Sequence, residues 1–200
     1  MKAAATRLYV PYRTWQDWEC GAFYPRKWAE KMILEKLEYI TTKNNGKFIL
    51  DACCGGRQFW FDKNNPLTTF IDSRSGQWVL SDSRRFNVSP DMVMDFTALD
   101  FPDKSFKLVV FDPPHLTRAG DKSFMAIKYG RLGKDWRKTL RQGFGECWRV
   151  LDDYGVLIFK WSENNIKLSE VAKLFPDKPL FGHTTDNKSH TYWVCFMKSS

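Results

Sequence analysis

Phe111-Asp112-Pro113-Pro114-His115 is the stretch of this sequence with the most specific chemistry. Two successive prolines stiffen the chain and remove two backbone donors, leaving a surface rich in carbonyl oxygens. An exocyclic NH2 group on an aromatic ring is a poor nucleophile, because its lone pair is delocalised into the ring. The Asp112 carboxylate and the Pro113 carbonyl can each accept one of its hydrogens. That favours a pyramidal nitrogen whose lone pair points at a donor, which is positioning plus stabilisation of developing positive charge. Neither a metal nor a covalent intermediate is required. Standing alone, the motif would be read first as a rigid turn after a strand.

It does not stand alone. Asp51-Ala52-Cys53-Cys54-Gly55-Gly56 follows a short apolar run, and its small residues and glycines allow a tight turn and close approach to a ligand. The full GxGxxG dinucleotide pattern is absent, which disfavours a nicotinamide cofactor. Asp51 could accept a hydrogen bond from an ammonium group. Asp72 falls 21 residues later, also after an apolar run, where an acid commonly holds ribose hydroxyls. Asp95 could accept from an adenine amino group and Phe96 could cover the ring. Singly, each acid reads about as well as a turn or helix-cap residue. Four acids at the ends of successive runs (51, 72, 95 and 112) point to one shared site.

The elements that must position them are legible as alternating short β-rich runs and helical stretches. Strands are expected over 47–51, 68–72, 91–95 (weaker), 106–112, 155–161 and 191–197, with a further one near Leu180-Phe181. Pro25, Trp28, Met32, Ile33, Leu37 and Ile40 predict a helix over 25–40. Trp136, Leu140, Phe144, Trp148 and Leu151 predict another over 134–151, and 166–175 looks helical. The alternation predicts a parallel sheet with helices on both faces, and the near-continuous run to Trp161 a strand covered on both sides. The last two strands have no helix between them, so one antiparallel strand should be inserted at that end. Ligands in such sheets bind beyond the carboxyl ends of the strands, where the four acids fall.

Over roughly residues 25–198 the chain resembles the class I S-adenosylmethionine-dependent methyltransferases. Residues 51–56 look like that family's glycine-rich cofactor loop, Asp72 like its ribose-binding acid, and Asp95-Phe96 like its adenine contacts. Asp112-Pro113-Pro114-His115 is similar to the [Asp/Asn/Ser]-Pro-Pro-aromatic motif of amino methyltransferases that act on adenine, cytosine, guanine or glutamine amides. Together with Lys128-Tyr129-Gly130 and Phe159-Lys160-Trp161, it also resembles short methyltransferase-like proteins of phages and prophages. The resemblance implies a Rossmann-like α/β sandwich with a mostly parallel seven-stranded sheet and an antiparallel terminal strand. It implies S-adenosylmethionine as cofactor and methyl transfer to an exocyclic amino nitrogen, adenine N6 ahead of cytosine N4. His115 departs from the usual Tyr, Phe or Trp: imidazole can stack on a base, but can also hydrogen-bond or take a proton.

Charge points to the partner. The chain carries 31 Lys and Arg against 23 Asp and Glu, a formal +8, which favours a polyanion such as DNA or structured RNA. Between Arg118 and Arg141 lie eight basic residues (118, 122, 128, 131, 134, 137, 138 and 141) against Asp121 and Asp135. Positions 134–141 read equally as a solvated helix face or a phosphate grip. The stretch from Ala119-Gly120 to Gly130 is irregular enough to be a lid, with Arg118, Lys122, Lys128 and Tyr129 as substrate contacts.

The 200 residues are expected to form one domain, with 1–24 as an aromatic and basic extension and no room for a separate target-recognition domain. Recognition would then fall to loops, the extension or a partner chain. Five cysteines (20, 53, 54, 147 and 195) without paired CxxC spacing suggest reduced thiols. No leader or membrane-spanning run is visible, so a cytoplasmic protein is expected. No metal site is expected, since His183 and His190 have no acid or thiol at ligand spacing. Two competitors remain: a methyltransferase acting on a protein amide or small amine, and a catalytically silent binding subunit of the same fold.

Overall fold

The computed structural model describes Thr14 and residues 46–117, 120, 123–185 and 190–199. The chain divides into two compact units, Met1–Gly46 and Lys47–Ser200. The expected helix over 25–40, the extension 1–24 apart from Thr14, Arg118 and Lys122 lie outside the described residues.

Within the second unit, β1 (Ile49–Asp51), β2 (Thr68–Asp72), β5 (Met92–Val93), β6 (Phe106–Phe111), β7 (Leu151–Ser162), β8 (Phe181–Thr184) and β9 (Thr191–Met197) form one sheet. Its order is β5-β2-β1-β6-β7-β9-β8. The β1–β2, β1–β6, β2–β5 and β6–β7 pairs are parallel, whereas β9 is antiparallel to both β7 and β8. Six strands therefore run one way and β9 alone runs against them. This is the mostly parallel seven-stranded α/β sheet expected, with its reversed strand lodged between β7 and β8.

Helix α2 (Trp136–Val150) turns Leu140, Gly143, Phe144, Cys147 and Val150 inward. Here α1 is Phe124–Tyr129 and α3 is Leu168–Val171, which continues as a 3-10 turn over Ala172–Leu174. Phe144 stacks on Phe175 with ring centroids 3.9 Å apart and meets Phe196 edge-on, closing a core with Leu50, Val109, Phe111, Phe159 and Trp161. Burying so many rings at specific offsets gives this side of the sheet its rigidity. Leu151, expected at the end of the helical face, instead opens β7.

The structure departs from the expected alternation in the first half. Among the described residues, β1 to β2 and β5 to β6 are joined without helices. Between β2 and β5 stands an antiparallel hairpin, β3 (Gly76–Val79) and β4 (Arg85–Val88). The third core strand shrinks to two residues, leaving Asp95 and Phe96 on the loop beyond it. In β7, Leu157, Phe159 and Trp161 are buried while Val156, Ile158 and Lys160 are only partly so. The two faces of that strand are thus unequally covered, and Lys160 sits on the more open one.

Candidate functional site

A cleft of ≈ 270 Å³ lies beyond the carboxyl ends of β1, β2, β5 and β6. Its walls include Ala52, Cys53, Cys54, Gly55, Gly56, Asp72, Asp95, Phe96, Asp112, Pro113, Pro114, His115, Lys128 and Tyr129. Every described candidate but Asp51 therefore meets in one place. Parallel pairing is the cause: Asp51 is level with Val110 of β6 and Phe70 of β2, so each run ends on the same side of the sheet.

The loop after β1 turns sharply. Gly55 has φ +49°, and its N–H donates to Asp72 Oδ2 at 3.0 Å. A Cβ on Gly56 would lie 2.9 Å from the Phe86 ring, so the glycine lets the hairpin close against the loop. Burial pushes the Cys54 thiol up to about 12 and raises Cys53 well above its usual range, so both are neutral, small lining residues. Cys53, Cys54, Cys147 and Cys195 are all free. Among the described residues, no group of three His, Cys, Asp or Glu side chains is placed to hold a metal.

Asp51 is fully buried and faces the protein. Its Oδ2 accepts from the Trp60 indole N–H at 2.7 Å and its Oδ1 from the Cys53 N–H at 3.2 Å. Burial raises its pKa to about 7, partly opposed by those two donors. One acceptor site of Asp51, the residue expected to contact an ammonium group, is thus used by an indole nine residues on, a side chain no motif pointed to. Asp95 likewise holds Thr97 through Oδ1, accepting from its N–H and hydroxyl, both at 2.8 Å. Phe96 packs edge-on to Phe111 and so close to α2 that a Cβ on Gly143 would stand 2.4 Å from its ring.

The β6–β7 register sets the reacting end. Phe111 is level with Phe159, so the next residues, Asp112 and Lys160, emerge side by side, and Lys160 Nζ donates to Asp112 Oδ2 at 2.6 Å. The Phe59 and Trp193 rings meet edge-on with centroids 5.3 Å apart, and each centroid lies 5.5 Å from the ammonium. Burial pushes the Asp112 carboxyl above its ordinary range, and the Lys160 charge opposes that rise. Lys160 lies in the Phe159-Lys160-Trp161 stretch singled out in the sequence, but nothing there assigned it to Asp112.

His115 is buried, and its Nε2 has no hydrogen-bond partner among the described residues. Burial, reinforced by Lys160, lowers its pKa to about 4, so the imidazole is neutral near pH 7. Its ring lies 5.6 Å from that of Tyr129, tilted by 48°. The irregular lid expected through Gly130 instead contains an ordered turn of helix: Ser123 caps α1 by accepting from the Ala126 N–H, and Gly130 ends it at φ +73°. A Cβ on Gly130 would lie 3.1 Å from Pro114, so α1 abuts the proline motif directly. Arg137, Lys138 and Arg141 are exposed on the first turns of α2 and Lys134 just before it, and Arg137 meets Glu170 at 3.4 Å. An exposed pair of that kind contributes about 0–1 kcal/mol.

Arg74 was not foreseen. Its guanidinium joins Asp72 to α1, donating to Asp72 Oδ1 at 3.1 Å and to the Ile127 carbonyl at 2.9 Å.

No family model and no curated protein matches the chain. Solved structures do. A protein of Pyrococcus horikoshii OT3 is similar at 17% identity, with 88% of this chain and 93% of that chain covered and a TM-score of 0.46. A SAM-dependent methyltransferase of Methanosarcina mazei is similar at 14% identity, covering 80% and 96%, with a TM-score of 0.44. A SAM-dependent methyltransferase of Leishmania major is similar at 11% identity, covering 84% and 76%, with a TM-score of 0.45.

Proposed function

We propose that the chain is an S-adenosylmethionine-dependent methyltransferase acting on the exocyclic amino nitrogen of a nucleic-acid base, adenine N6 ahead of cytosine N4. The observation that carries this reading is the convergence of the glycine turn, Asp72, Asp95 and Phe96 with Asp112-Pro113-Pro114-His115 around one cleft. The residues suit the cofactor: a tight turn at Gly55-Gly56, an acid at the β2 end for a ribose, and an aromatic ring for an adenine. The cofactor would supply an electrophilic methyl group.

The protein's part is to hold and orient the amine. With Oδ2 engaged by Lys160, Asp112 offers Oδ1 to one amine hydrogen, and the Pro113 carbonyl takes the other. The negative charge beside a nitrogen becoming positive stabilises the transition state. Neutral His115 and Tyr129, their rings tilted by 48°, line the wall that meets the base. The similarity of the proline motif to that of amino methyltransferases, and to short phage methyltransferase-like proteins, supports the nitrogen target. The basic balance of the chain supports a nucleic acid. A flipped or single-stranded base fits a cleft this small better than one stacked in a duplex.

The deciding measurement uses labelled S-adenosylmethionine with separate DNA, RNA and protein pools, followed by mass spectrometry of the modified nucleoside or residue. Label should enter nucleic acid, with a rate that falls steeply as salt rises. Label confined to protein or small molecules would sink the reading.

The cofactor half has its own check in Gly143→Ala. Inside a helix, alanine should add roughly 0.5–1 kcal/mol of stability over glycine. Here its Cβ must displace the Phe96 ring. The expected result is weaker binding of S-adenosylmethionine by calorimetry, with the helix retained by circular dichroism.

A further inference from the structure

Arg74 follows Asp72 by two residues, just past the end of β2. Four donors converge on the Asp72 carboxylate. Oδ1 accepts from the Arg74 backbone N–H at 3.0 Å and from Arg74 Nε at 3.1 Å; Oδ2 accepts from the Gly55 N–H at 3.0 Å and from Arg74 Nη2 at 3.4 Å. An ionised carboxylate has about four lone-pair sites, so this one is full. A pair of ribose hydroxyls can be accepted only if some donor leaves. The two backbone donors are fixed by the glycine turn and the strand end. The guanidinium, on a flexible stem and holding the longest of the four bonds, is the one that can go.

The same guanidinium also reaches α1, where Nη1 donates to the Ile127 carbonyl at 2.9 Å. A Cβ on Gly130 would lie 3.9 Å from its central carbon, so the end of α1 lies beside it. Between those points, α1 carries Lys128 and Tyr129 on the cleft wall. One side chain therefore ties the acid assigned to the cofactor to the helix assigned to the target.

We propose that Arg74 is a latch: it holds α1 against the cofactor site through Asp72, and the cofactor's ribose hydroxyls displace it and loosen α1. The proposal rests on the cofactor reading of Asp72 given above. Its consequence is an order of binding, cofactor before target, because the wall that faces the target relaxes only when Asp72 changes partners. Coupling of this kind is reciprocal, so displacement of α1 by a target should in turn favour cofactor binding.

The test is hydrogen exchange over residues 124–130, read by mass spectrometry with and without S-adenosylhomocysteine, alongside calorimetric affinity for that ligand. In the wild-type protein the ligand should speed exchange in this segment several-fold. In Arg74→Met the segment should exchange fast without ligand and show no further change, while ligand affinity is equal to or tighter than that of the wild type. Arg74→Lys, which keeps the charge but loses the fork, should fall between the two. Slower exchange on ligand binding in the wild type would overturn the latch, as would a tenfold or greater loss of affinity in Arg74→Met, which would make Arg74 a direct cofactor contact. Absence of any ligand binding to the wild-type protein would instead remove the cofactor reading on which the latch stands.

Discussion

Asp112→Ala is expected to abolish methyl transfer while leaving S-adenosylmethionine binding close to that of the wild type. Asp112 lies at the end of β6 beside Lys160, and its free oxygen is assigned to the target amine. Removing one preorganised partner from a centre of developing charge typically lowers kcat by about 10²–10³-fold. Alanine also strands the Lys160 ammonium beside the Phe59 and Trp193 rings, with its side chain only 23% exposed. Loss of one member of a paired, partly buried couple destabilises by leaving the other uncompensated. The double variant Asp112→Ala with Lys160→Met separates the two effects. It should recover the melting temperature lost by Asp112→Ala and recover none of the activity. Single-turnover rates and calorimetry on all three proteins provide the check; loss of cofactor binding in Asp112→Ala would show that the carboxylate serves the cofactor rather than the amine.

The second large effect is expected from Lys160→Met alone, and it should depend on pH. The working form of Asp112 is the carboxylate. Burial raises its pKa and Lys160 opposes the rise, so removing the ammonium lets the pKa climb further. Because the acid form accumulates below the pKa, the low-pH limb of the rate profile should move toward higher pH. Activity should be reduced most at low pH and regained, in part, as pH rises. Lys160→Arg keeps the charge and should leave the limb near its wild-type position. A loss in Lys160→Met that is the same at every pH would mean Lys160 acts by packing against Phe59 and Trp193. His115 should not contribute to this limb, since its pKa of about 4 keeps the imidazole neutral across the range.

The strand ends were legible in the sequence because each is an apolar run stopped by an acid, and Asp72 and Asp112 stand where that pattern puts them. What pairs with those acids was not legible. Lys160 is 48 residues from Asp112, and only the β6–β7 register brings them level. Register is a property of two strands together, and neither run specifies it alone. Asp51 shows a similar difficulty: its loop was legible, but not the Trp60 indole that donates to its carboxylate from nine residues away. The β3–β4 hairpin had a signal that alternation of helices and strands overshadowed. Phe86 and Val88 alternate with Arg85 and Asn87, after a Ser81-Asp82-Ser83 turn in which Ser83 adopts φ +66°. Arg74 had no signal at all, being a lone cation in a polar loop.

The hairpin and α1 share a small core of their own, in which Leu80, Phe86 and Val88 pack with Trp78, Phe124 and Ile127 apart from the main cluster under the sheet. The cleft thus has banks of unequal strength. One is the sheet, with its strand ends fixed by a large aromatic core. The other rests on three buried side chains and can open locally at far lower free energy than global unfolding requires. Whatever the cleft binds is therefore expected to enter and leave by a loosening of that bank, while the strand-end acids stay in register on the other.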